Sequence, residues 1–384
     1  MAEIGETTAE RKQTAEPLRI LHIVTAMDFG GVETLLMNIY RRVDQERLQF
    51  DFLCQNRIES KFSAEIDALG GRMFKVDGPT HVGFPAYLRQ LRRFFELHPE
   101  YGIVHAHNDQ YSAAPLWQAK KAGVPHRIAH SHSVAAVSQS ALLSLYEKWA
   151  LPVIRRYATK RFACSRNAGE FLYGRNLPFE IVPNGINTVR FAFDADKRMI
   201  SRVKMGVSDS ELLVGHVGSF RGVKNHRFLV DVFEEMHKIL PHVKLLLLGA
   251  GHLEEEIRQR TAALGLAESV IFAGSHADVS GYYCAMDAFL FPSLFEGLGI
   301  AALEAQCAGL PVLASDRIPV EVKVTDRLRL LPIEDGAGAW ARVACSMLEN
   351  CRAERETYAK IFAESPFNID NVAEWLQNYY LGLS

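Results

Sequence analysis

The sequence predicts an α/β protein in which two doubly wound parallel sheets, each covered by helices, face each other across a cleft. Short apolar runs alternate with segments of helical periodicity, a pattern typical of parallel βαβ units. The alternation restarts in the second half of the 384-residue chain, after the turn signal Pro183-Asn184-Gly185. Because open parallel sheets bind ligands at the carboxyl ends of their strands, we expect the functional site in the cleft.

The first half is predicted to contain six strands. The run LRILHIVTA is rich in Ile, Leu and Val, which favours a fully buried strand. The predicted strands are Leu18–Ala26, Gln49–Cys54, Arg72–Val76, Tyr101–His107, His126–Ser131 and Lys160–Ser165. The predicted helices are Glu33–Arg42, Lys61–Leu69 and one that ends at Lys121.

The second half repeats the pattern. The predicted strands are Leu212–Ser219, Val243–Gly249, Val270–Ala273, Ala288–Phe291 and Pro311–Ala314. The predicted helices are Asn225–Leu240, His252–Leu264, Ser280–Met286, one that opens near Gly299, and the amphipathic segment Asn368–Leu381. We therefore predict a disordered polar tail at 1–16, a first domain at 17–185 and a second domain at 186–365.

The composition excludes several classes of function. The chain is 48% hydrophobic and 23% charged, with a formal net charge of −2. That balance is ordinary for a soluble globular protein and gives no reason to expect nucleic acid as a partner. The six cysteines form no C-x-x-C pair, so we expect a reducing cytoplasm, with no disulfide framework and no zinc site. No run approaches the ~18 apolar residues of a spanning helix, so any membrane contact would be peripheral.

The most informative segment is PSLFEGLGIAALEAQCAGLPVLASD, which contains Glu296 and Glu304. Gly299 opens a helix between them, and the free N–H groups of a first helical turn favour anions. Glu304 then lies about 7 Å further along the helix, at about 1.5 Å per residue. One carboxylate at a phosphate end and another beyond it suit a nucleotide sugar. The alternative interpretation is a surface glutamate followed by an ordinary amphipathic helix.

This E-x(7)-E pattern resembles the retaining family 4 glycosyltransferases of GT-B fold. The segments DFGGVETLLMNIY, HSHS and VPNGI are most similar to its exopolysaccharide-biosynthesis (EpsF-like) branch, and the resemblance covers about residues 18–380. It implies a cytoplasmic hexosyltransferase that moves a sugar from a UDP-sugar to a lipid-linked saccharide, without cofactor. It also implies that the C-terminal helix, within 366–384, crosses back onto the first domain.

The resemblance assigns donor-binding roles to residues of both halves. Glu296 would contact the hydroxyls of the donor sugar, and Glu304 would hold the ribose. The N–H groups of Gly299 and Ile300 would face the diphosphate, as would the loop Gly30-Gly31.

Two further segments match the family's donor-binding pattern. VGSFRGVKNH resembles a G-R-x(4)-K segment whose cations neutralise the leaving diphosphate, and Lys224 matches the lysine. Ser219 stands where the family has arginine, and Arg221 is the candidate to supply that charge. The loop FAGSHAD, around His276, resembles the loop that reads the nucleotide base.

Histidines end two of the predicted strands. From alternation along the strand, we predict that His105 and His107 point to opposite faces of the sheet. The family has a functional histidine at the second of these positions, so His107 is expected to contact a sugar hydroxyl. His130 and His132 show the same alternation and, with Asp28 and Glu33, are candidates for the acceptor side.

No essential metal is expected. Asp194-Ala195-Asp196 is formally a D-x-D metal motif, but it lies in a polar segment after the hinge. We expect no His/Cys/Asp cluster to take its place. The basic amphipathic segment Tyr87–Glu96 has two interpretations, a helix on an anionic membrane surface or a core-packed helix with a solvated basic face.

Two other functions remain open at this point. A sugar-nucleotide 2-epimerase has the same two-domain architecture and would change the donor with no acceptor present. A non-catalytic sugar-nucleotide-binding subunit is made conceivable by Ser219 and would bind UDP without turnover.

Overall fold

The computed structural model describes residues 16–28, 30–56, 60–133, 141–349 and 351–383. Apart from its last residue, the predicted tail lies outside these ranges. The described chain forms two parallel sheets with helices on both faces, as predicted. The six cysteines are all free thiols.

The two sheets have related topologies. The first contains seven strands in the order β3-β2-β1-β4-β5-β6-β7, and the second contains six in the order β10-β9-β8-β11-β12-β13. These strands are β1 Leu18–Val24, β2 Leu48–Cys54, β3 Met73–Lys75, β4 Ile103–Ala106, β5 His126–Ser131, β6 Lys160–Ala163, β7 Glu180–Ile181, β8 Leu212–Val217, β9 Val243–Leu248, β10 Val270–Gly274, β11 Ala288–Phe291, β12 Val312–Ser315 and β13 Leu328–Leu331.

Sixteen α-helices are found in the described residues. They are α1 Gly31–Tyr40, α2 Ser63–Ala68, α3 Pro79–Val82, α4 Phe84–Leu97, α5 Ala113–Lys121, α6 Ala141–Tyr157, α7 Arg166–Tyr173, α8 Thr188–Phe191, α9 Ala195–Met205, α10 His226–Ile239, α11 Glu254–Ala263, α12 Ser280–Ala285, α13 Ile300–Cys307, α14 Gly336–Met347, α15 Tyr358–Glu364 and α16 Ile369–Leu381. Among the residues that the structure describes, no helix is long and apolar enough to cross a bilayer.

The two connections between the sheets run side by side. The backbone N–H of Ile186 donates to Phe367 O at 2.7 Å, and that of Ile369 donates to Ile186 O at 3.0 Å. A Cβ on Gly185 would lie closer than 3.0 Å to the Ile369 backbone. The glycine of the predicted turn therefore allows the outgoing and returning chain to pair.

Helix α16 packs against the first sheet. Its inner face buries Val372, Leu376 and Tyr380 together with core residues of β1 and β2. At its edge, the Asp44 backbone N–H donates to Gln377 Oε1 at 2.6 Å. The crossing implied by the family resemblance is therefore present.

Helix α4 packs its apolar face into the first core. Tyr87, Leu91, Phe94 and Phe95 are buried there, while the arginines of the opposite face are exposed. The core-packed interpretation of this segment accounts for its apolar face. The exposed basic face is the part on which a membrane contact would depend.

A buried carboxylate fixes the start of the second sheet. Asp287 accepts hydrogen bonds from Arg198 Nη2 at 2.8 Å and from the Leu213 backbone N–H at 2.9 Å. Arg202 and Arg352 also contact it. Three cations and a backbone donor hold the first residues of β8 and β11 together, and the far ends of these strands carry the candidate site.

Candidate active site

A cavity of about 530 Å³ lies between the two sheets. Its wall is formed by loops that follow strands of both domains and by the segment that joins the domains. The lining residues include Gly30, Gly31, Thr34, Leu35, Asn38, Asn187, Arg190, Gly218, Ser219, Gly249, Ala250, Gly274, Ser275, His276, Ile300, Ala301 and Glu304. This position at the strand carboxyl ends is the one predicted from the fold class.

Glycines allow backbone atoms to lie close to the cavity. Gly249 has φ +141°, and a Cβ there would lie closer than 3.0 Å to Gly218 O. The loops after β8 and β9 can therefore touch, and both line the cavity. Gly299 has φ +100° and ψ 50°, a left-handed conformation that places the start of α13 at Ile300. The first turn of α13 thus faces the same space.

Glu304 lies one turn into α13 at the cavity wall. Tyr283 Oη donates a hydrogen bond to Glu304 Oε2 at 2.8 Å. Burial raises the pKa of this carboxyl to about 7, although the Tyr283 hydrogen bond acts in the opposite direction. Near neutral pH the side chain is therefore divided between an acid and a carboxylate, and only the carboxylate is a pure acceptor for two vicinal hydroxyls.

Donor affinity is expected to increase as the pH rises through about 7. If ribose hydroxyls donate to Glu304, binding favours the ionised carboxyl, so below that pKa binding must also release a proton. Calorimetry with UDP-glucose, whose diphosphate has no group that titrates near neutral pH, measures this dependence. The Glu304→Gln variant is the control and should show a flat profile. An equal slope in both proteins would contradict the role of Glu304.

Lys224 and Glu296 form an ion pair beside the cavity. Lys224 Nζ lies 2.5 Å from Glu296 Oε1, and the two side chains are only 18% and 12% exposed. Neither residue lines the cavity, but both flank loops that do. Lys224, predicted to contact the diphosphate, and Glu296, predicted to contact the sugar, thus neutralise each other's charge.

The loop that carries Glu296 is in direct contact with the first domain. Ser165 Oγ donates to Gly297 O at 2.5 Å and accepts from the Ala168 N–H at 3.2 Å, so this hydroxyl both caps α7 and holds the loop. A Cβ on Gly297 would lie closer than 3.0 Å to His132 O. This contact was not predictable from the sequence, because its partners are more than 130 residues apart.

Gly297→Ala is expected to lower turnover by about tenfold, since overpacking a close contact typically costs about 1–3 kcal/mol. The added methyl group forces the Glu296 loop away from His132 O, while the ribose end of the site is untouched. The measurement is kcat together with UDP affinity, which should change little. Gly222→Ala is the matched control, because a Cβ there meets nothing within 4 Å. Equal kcat values for the two variants would contradict this prediction.

The Gly30-Gly31 loop begins α1 at the cavity. A Cβ on Gly30 would collide with the Glu33 carboxylate, which folds back over the turn. Burial raises the pKa of Glu33. Asp28 lies outside the cavity wall and forms an ion pair with Lys61 at 2.9 Å. Of the two acidic candidates for the acceptor side, Glu33 is the nearer to the glycine turn.

The strand-end histidines share one face of the first sheet, so their predicted placement on opposite faces is wrong. Residues two apart on a strand point the same way. The rings of His105 and His107 are accordingly 4.1 Å apart between centroids, and those of His130 and His132 are 4.0 Å apart. The predicted strands are present, and only the assignment of alternate residues to opposite faces was wrong.

His22 of β1 joins this face because it pairs with His105 in the strand register. His22 Nδ1 lies 3.0 Å from His107 Nε2, and His107 Nδ1 lies 3.1 Å from His132 Nε2. The expectation that no His/Cys/Asp cluster exists is therefore wrong, because five imidazoles converge at the ends of β1, β4 and β5. Desolvation lowers the pKa of His107 well below its usual value, so this residue is neutral at pH 7.

Ser219 and Arg221, the two positions considered for a second donor-binding cation, differ in their distance from the cavity wall. Ser219 lines the cavity, where the family has arginine. Arg221 is exposed and does not reach the cavity wall. Arg190, which the sequence analysis did not single out, does line it and donates from Nη2 to Ala277 O at 3.0 Å. His276 is held by Tyr282 Oη at 2.9 Å and borders the same end of the cavity.

The formal D-x-D segment is a helix cap. Asp194 Oδ1 accepts from the Lys197 N–H at 2.9 Å at the start of α9. Among the described residues, neither Asp194 nor Asp196 belongs to a group of three potential metal ligands. Capping accounts for Asp194 without a metal.

Two family models match the chain, one in each half. The model described as "Glycosyl transferase 4-like domain" matches residues 30–185, and the model described as "Glycosyl transferases group 1" matches residues 211–350. Together they include the loops that line the cavity.

Related sequences include EpsF of Bacillus subtilis (strain 168), which is named as a glycosyltransferase. It is 31% identical over 371 residues, covering 94% of this chain and 96% of that protein. The UDP-Gal:alpha-D-GlcNAc-diphosphoundecaprenol alpha-1,3-galactosyltransferase of Escherichia coli is 23% identical over 319 residues, covering 79% of this chain and 81% of that protein.

Solved structures share the fold. HepE of Anabaena, in complex with UDP and glucose, aligns with a TM-score of 0.77 at 18% identity, covering 94% of this chain and 99% of that chain. WaaG, a glycosyltransferase involved in lipopolysaccharide biosynthesis, aligns with a TM-score of 0.73 at 19% identity, covering 94% and 100%. The two-sheet architecture is therefore the GT-B fold.

Proposed function

The chain belongs to the group 1 glycosyltransferases with a family 4-like N-terminal domain, and from that premise we propose which transfer it catalyses. The donor is a UDP-hexose, and the acceptor is a lipid-linked saccharide in exopolysaccharide or cell-surface polysaccharide synthesis. The anomeric configuration is retained. The observation that supports this proposal best is the cleft itself, which Glu304 and the start of α13 line, with the Lys224–Glu296 pair beside it.

The proposed donor subsite follows from the positions of Glu304, the start of α13 and the Lys224–Glu296 pair. Glu304 accepts from the ribose hydroxyls, and the base lies toward His276 at the same end of the cavity. The diphosphate lies at the first turn of α13 and against the glycine loops at 30–31 and 218–219, where backbone N–H groups favour an anion. Glu296 accepts from hexose hydroxyls once Lys224 turns to the diphosphate. The choice of UDP is supported by HepE, which binds UDP and UDP-glucose.

The chemical step needs charge stabilisation rather than a covalent intermediate. The bond between the anomeric carbon and the phosphate oxygen breaks, and the acceptor oxygen bonds to the same face of that carbon. The acceptor proton passes to the departing phosphate oxygen, which leaves as UDP. Lys224 stabilises the negative charge that grows on the leaving group. Both ring nitrogens of His107 contact other histidines in the structure, so its proposed hydrogen bond to a hydroxyl of the reacting sugar requires the ring to leave His132.

The acceptor side belongs to the first domain. Its candidates are Glu33 beside the glycine turn and His132 at the end of β5, with His130 behind it. A lipid-linked acceptor is supported by the Escherichia coli relative, which is named for its action on a diphosphoundecaprenol substrate. The exposed basic face of α4 would then face the anionic surface that holds such an acceptor, with the enzyme peripheral at the cytoplasmic side of the membrane.

The test is a screen of UDP-hexoses for UDP release, with and without a crude lipid-linked acceptor fraction. The proposal requires release that depends on the acceptor, and a product whose new linkage has the donor's anomeric configuration by NMR. Conversion of the donor without acceptor would instead identify an epimerase. UDP binding without any turnover would identify a non-catalytic subunit.

Turnover is expected to survive EDTA. A divalent ion would neutralise the diphosphate in a metal-dependent enzyme, whereas here Lys224 and the start of α13 supply positive potential. Asp194 is occupied as a cap, so Asp194→Ala/Asp196→Ala should change stability more than kcat. The measurement is the rate after chelation and desalting. Loss of activity that Mn²⁺ or Mg²⁺ restores would overturn the metal-independent mechanism.

A further inference from the structure

We propose that His22, His105 and His107 form a binding site for one late first-row transition-metal ion, and that an ion bound there inhibits transfer. One nitrogen from each ring lies within 4.8 Å of the others, in a fully buried group. The three residues come from two adjacent strands, since His22 of β1 pairs with His105 of β4. Two neighbouring backbones therefore fix the triad.

The donor set selects the class of ion. The triad offers three imidazole nitrogens, which suit Zn²⁺, Co²⁺, Ni²⁺ or Cu²⁺ rather than Mg²⁺ or Ca²⁺. Two nitrogens bound to one ion at about 2.1 Å lie at most about 4.2 Å apart, so small ring rotations would complete the site. A neutral imidazole binds such an ion through the ring nitrogen that carries no proton.

His105 is oriented as a metal ligand would be. Its Nδ1 lies 2.6 Å from Tyr380 Oη of α16. When Nδ1 carries the proton and donates to that oxygen, Nε2 keeps a free lone pair. Among the described residues, His105 Nε2 is buried and has no hydrogen-bond partner, whereas His22 Nδ1 and His107 Nε2 contact each other at 3.0 Å and would have to exchange that contact for the ion. A buried nitrogen without a partner costs free energy that a bound ion would recover.

There is room for one ion and little else. A separate small cavity of about 10 Å³ is lined by His22, His105, His107 and Tyr380. That volume is close to the minimum that holds one water molecule. Leu35 lines both this cavity and the cleft, so the two cavities approach each other at this side chain. An ion can therefore enter from the cleft when Leu35 moves.

The second part of the inference rests on the proposed function. His107 is shared between the triad and the reacting sugar. With an ion on His107, the imidazole rotates toward the triad and no longer meets the sugar hydroxyl. The metal site is independent of that argument, because it depends only on the three rings and Tyr380.

The test uses the full-length, tag-free protein after removal of metals with a chelator. Co²⁺ is titrated in, and the visible absorption of a low-coordinate Co²⁺–imidazole site is followed, since Zn²⁺ itself is spectroscopically silent. Wild type should bind one equivalent with this spectrum. His105→Gln should lose the spectrum. Tyr380→Phe should weaken Co²⁺ binding by about 10–100-fold, the usual cost of removing a second-shell partner.

His130→Gln is the matched control, because His130 lies outside the triad but forms, with His107 and His132, the other group of rings close enough to share an ion. It should keep the spectrum. Unchanged UDP affinity in each variant shows that it is folded. Absence of a stoichiometric Co²⁺ spectrum in wild type, its survival in His105→Gln, or its loss in His130→Gln would overturn the assigned site.

Inhibition by the bound ion is measured in a separate turnover experiment. Zn²⁺ at one equivalent should reduce wild-type turnover at least tenfold and should leave His105→Gln at its own metal-free rate. Unchanged wild-type turnover with a full Co²⁺ spectrum would overturn the inhibitory role alone. Failure of every UDP-hexose to support turnover would overturn the proposed function, while the spectrum would still decide the metal site.

Discussion

Lys224→Ala is expected to lower kcat by about 10²–10³-fold, the typical cost of removing one donor that stabilises transition-state charge. Donor KM should rise much less, because negative charge on the diphosphate grows as the bond to the sugar breaks. Lys224 Nζ lies 2.5 Å from Glu296 Oε1 beside the cavity, so the proposed role requires the ammonium to turn from that carboxylate to the diphosphate.

Lys244→Ala is the control for loss of a lysine, because Lys244 pairs with Glu211 at 2.9 Å on the far side of the second domain. Its kcat should stay near that of wild type. Ser219→Arg, which restores the family's arginine, should leave turnover equal or higher. Near-normal turnover of Lys224→Ala with saturating donor would refute the leaving-group role.

Glu304→Ala is expected to weaken UDP binding by about 10–100-fold, corresponding to hydrogen bonds to a charged group worth about 1.5–3 kcal/mol. The ribose contacts exist in ground and transition states alike, so kcat at saturation should change much less. Calorimetry with UDP alone measures the effect.

Tyr283→Phe tests the hydrogen-bond donor of Glu304 separately from the carboxylate itself. This variant removes the hydroxyl that donates to Glu304 Oε2 and keeps the buried ring. It should weaken UDP binding less than Glu304→Ala, because the ribose acceptor remains. Unchanged UDP affinity in Glu304→Ala would rule out the ribose role altogether.

Local spacing in the sequence was enough to predict that Glu304 and the start of α13 lie at the cleft, where both line the cavity. Glu296, Gly299 and Glu304 are near neighbours along the chain, so a strand, a turn and a helix decide their relative positions. Lys224 was proposed in the same way, after a strand end. Their mutual arrangement was not predictable, because the Lys224–Glu296 pair joins residues 72 positions apart. Only the order of β8 and β11 in the sheet brings them together.

The histidine cluster shows a different limit of prediction from the sequence. Parity along one strand is readable from sequence, and correct use of it places His105 beside His107. The addition of His22 needs the register of β1 against β4, for which the sequence carries no mark. Likewise, β7 and β13 were missed because they are short edge strands without a continuous buried run.

The position of α16 sets an order for biosynthesis. Tyr380 reaches His105 across 275 residues, and Gln377 reaches Asp44 across 333. While the ribosome is still making the second domain, the first sheet lacks the helix that covers Phe50 and Phe162. The first domain is therefore the first to emerge and the last to be completed. An apolar face in the nascent chain therefore stays open for chaperones, or for wrong partners, throughout the translation of the second domain.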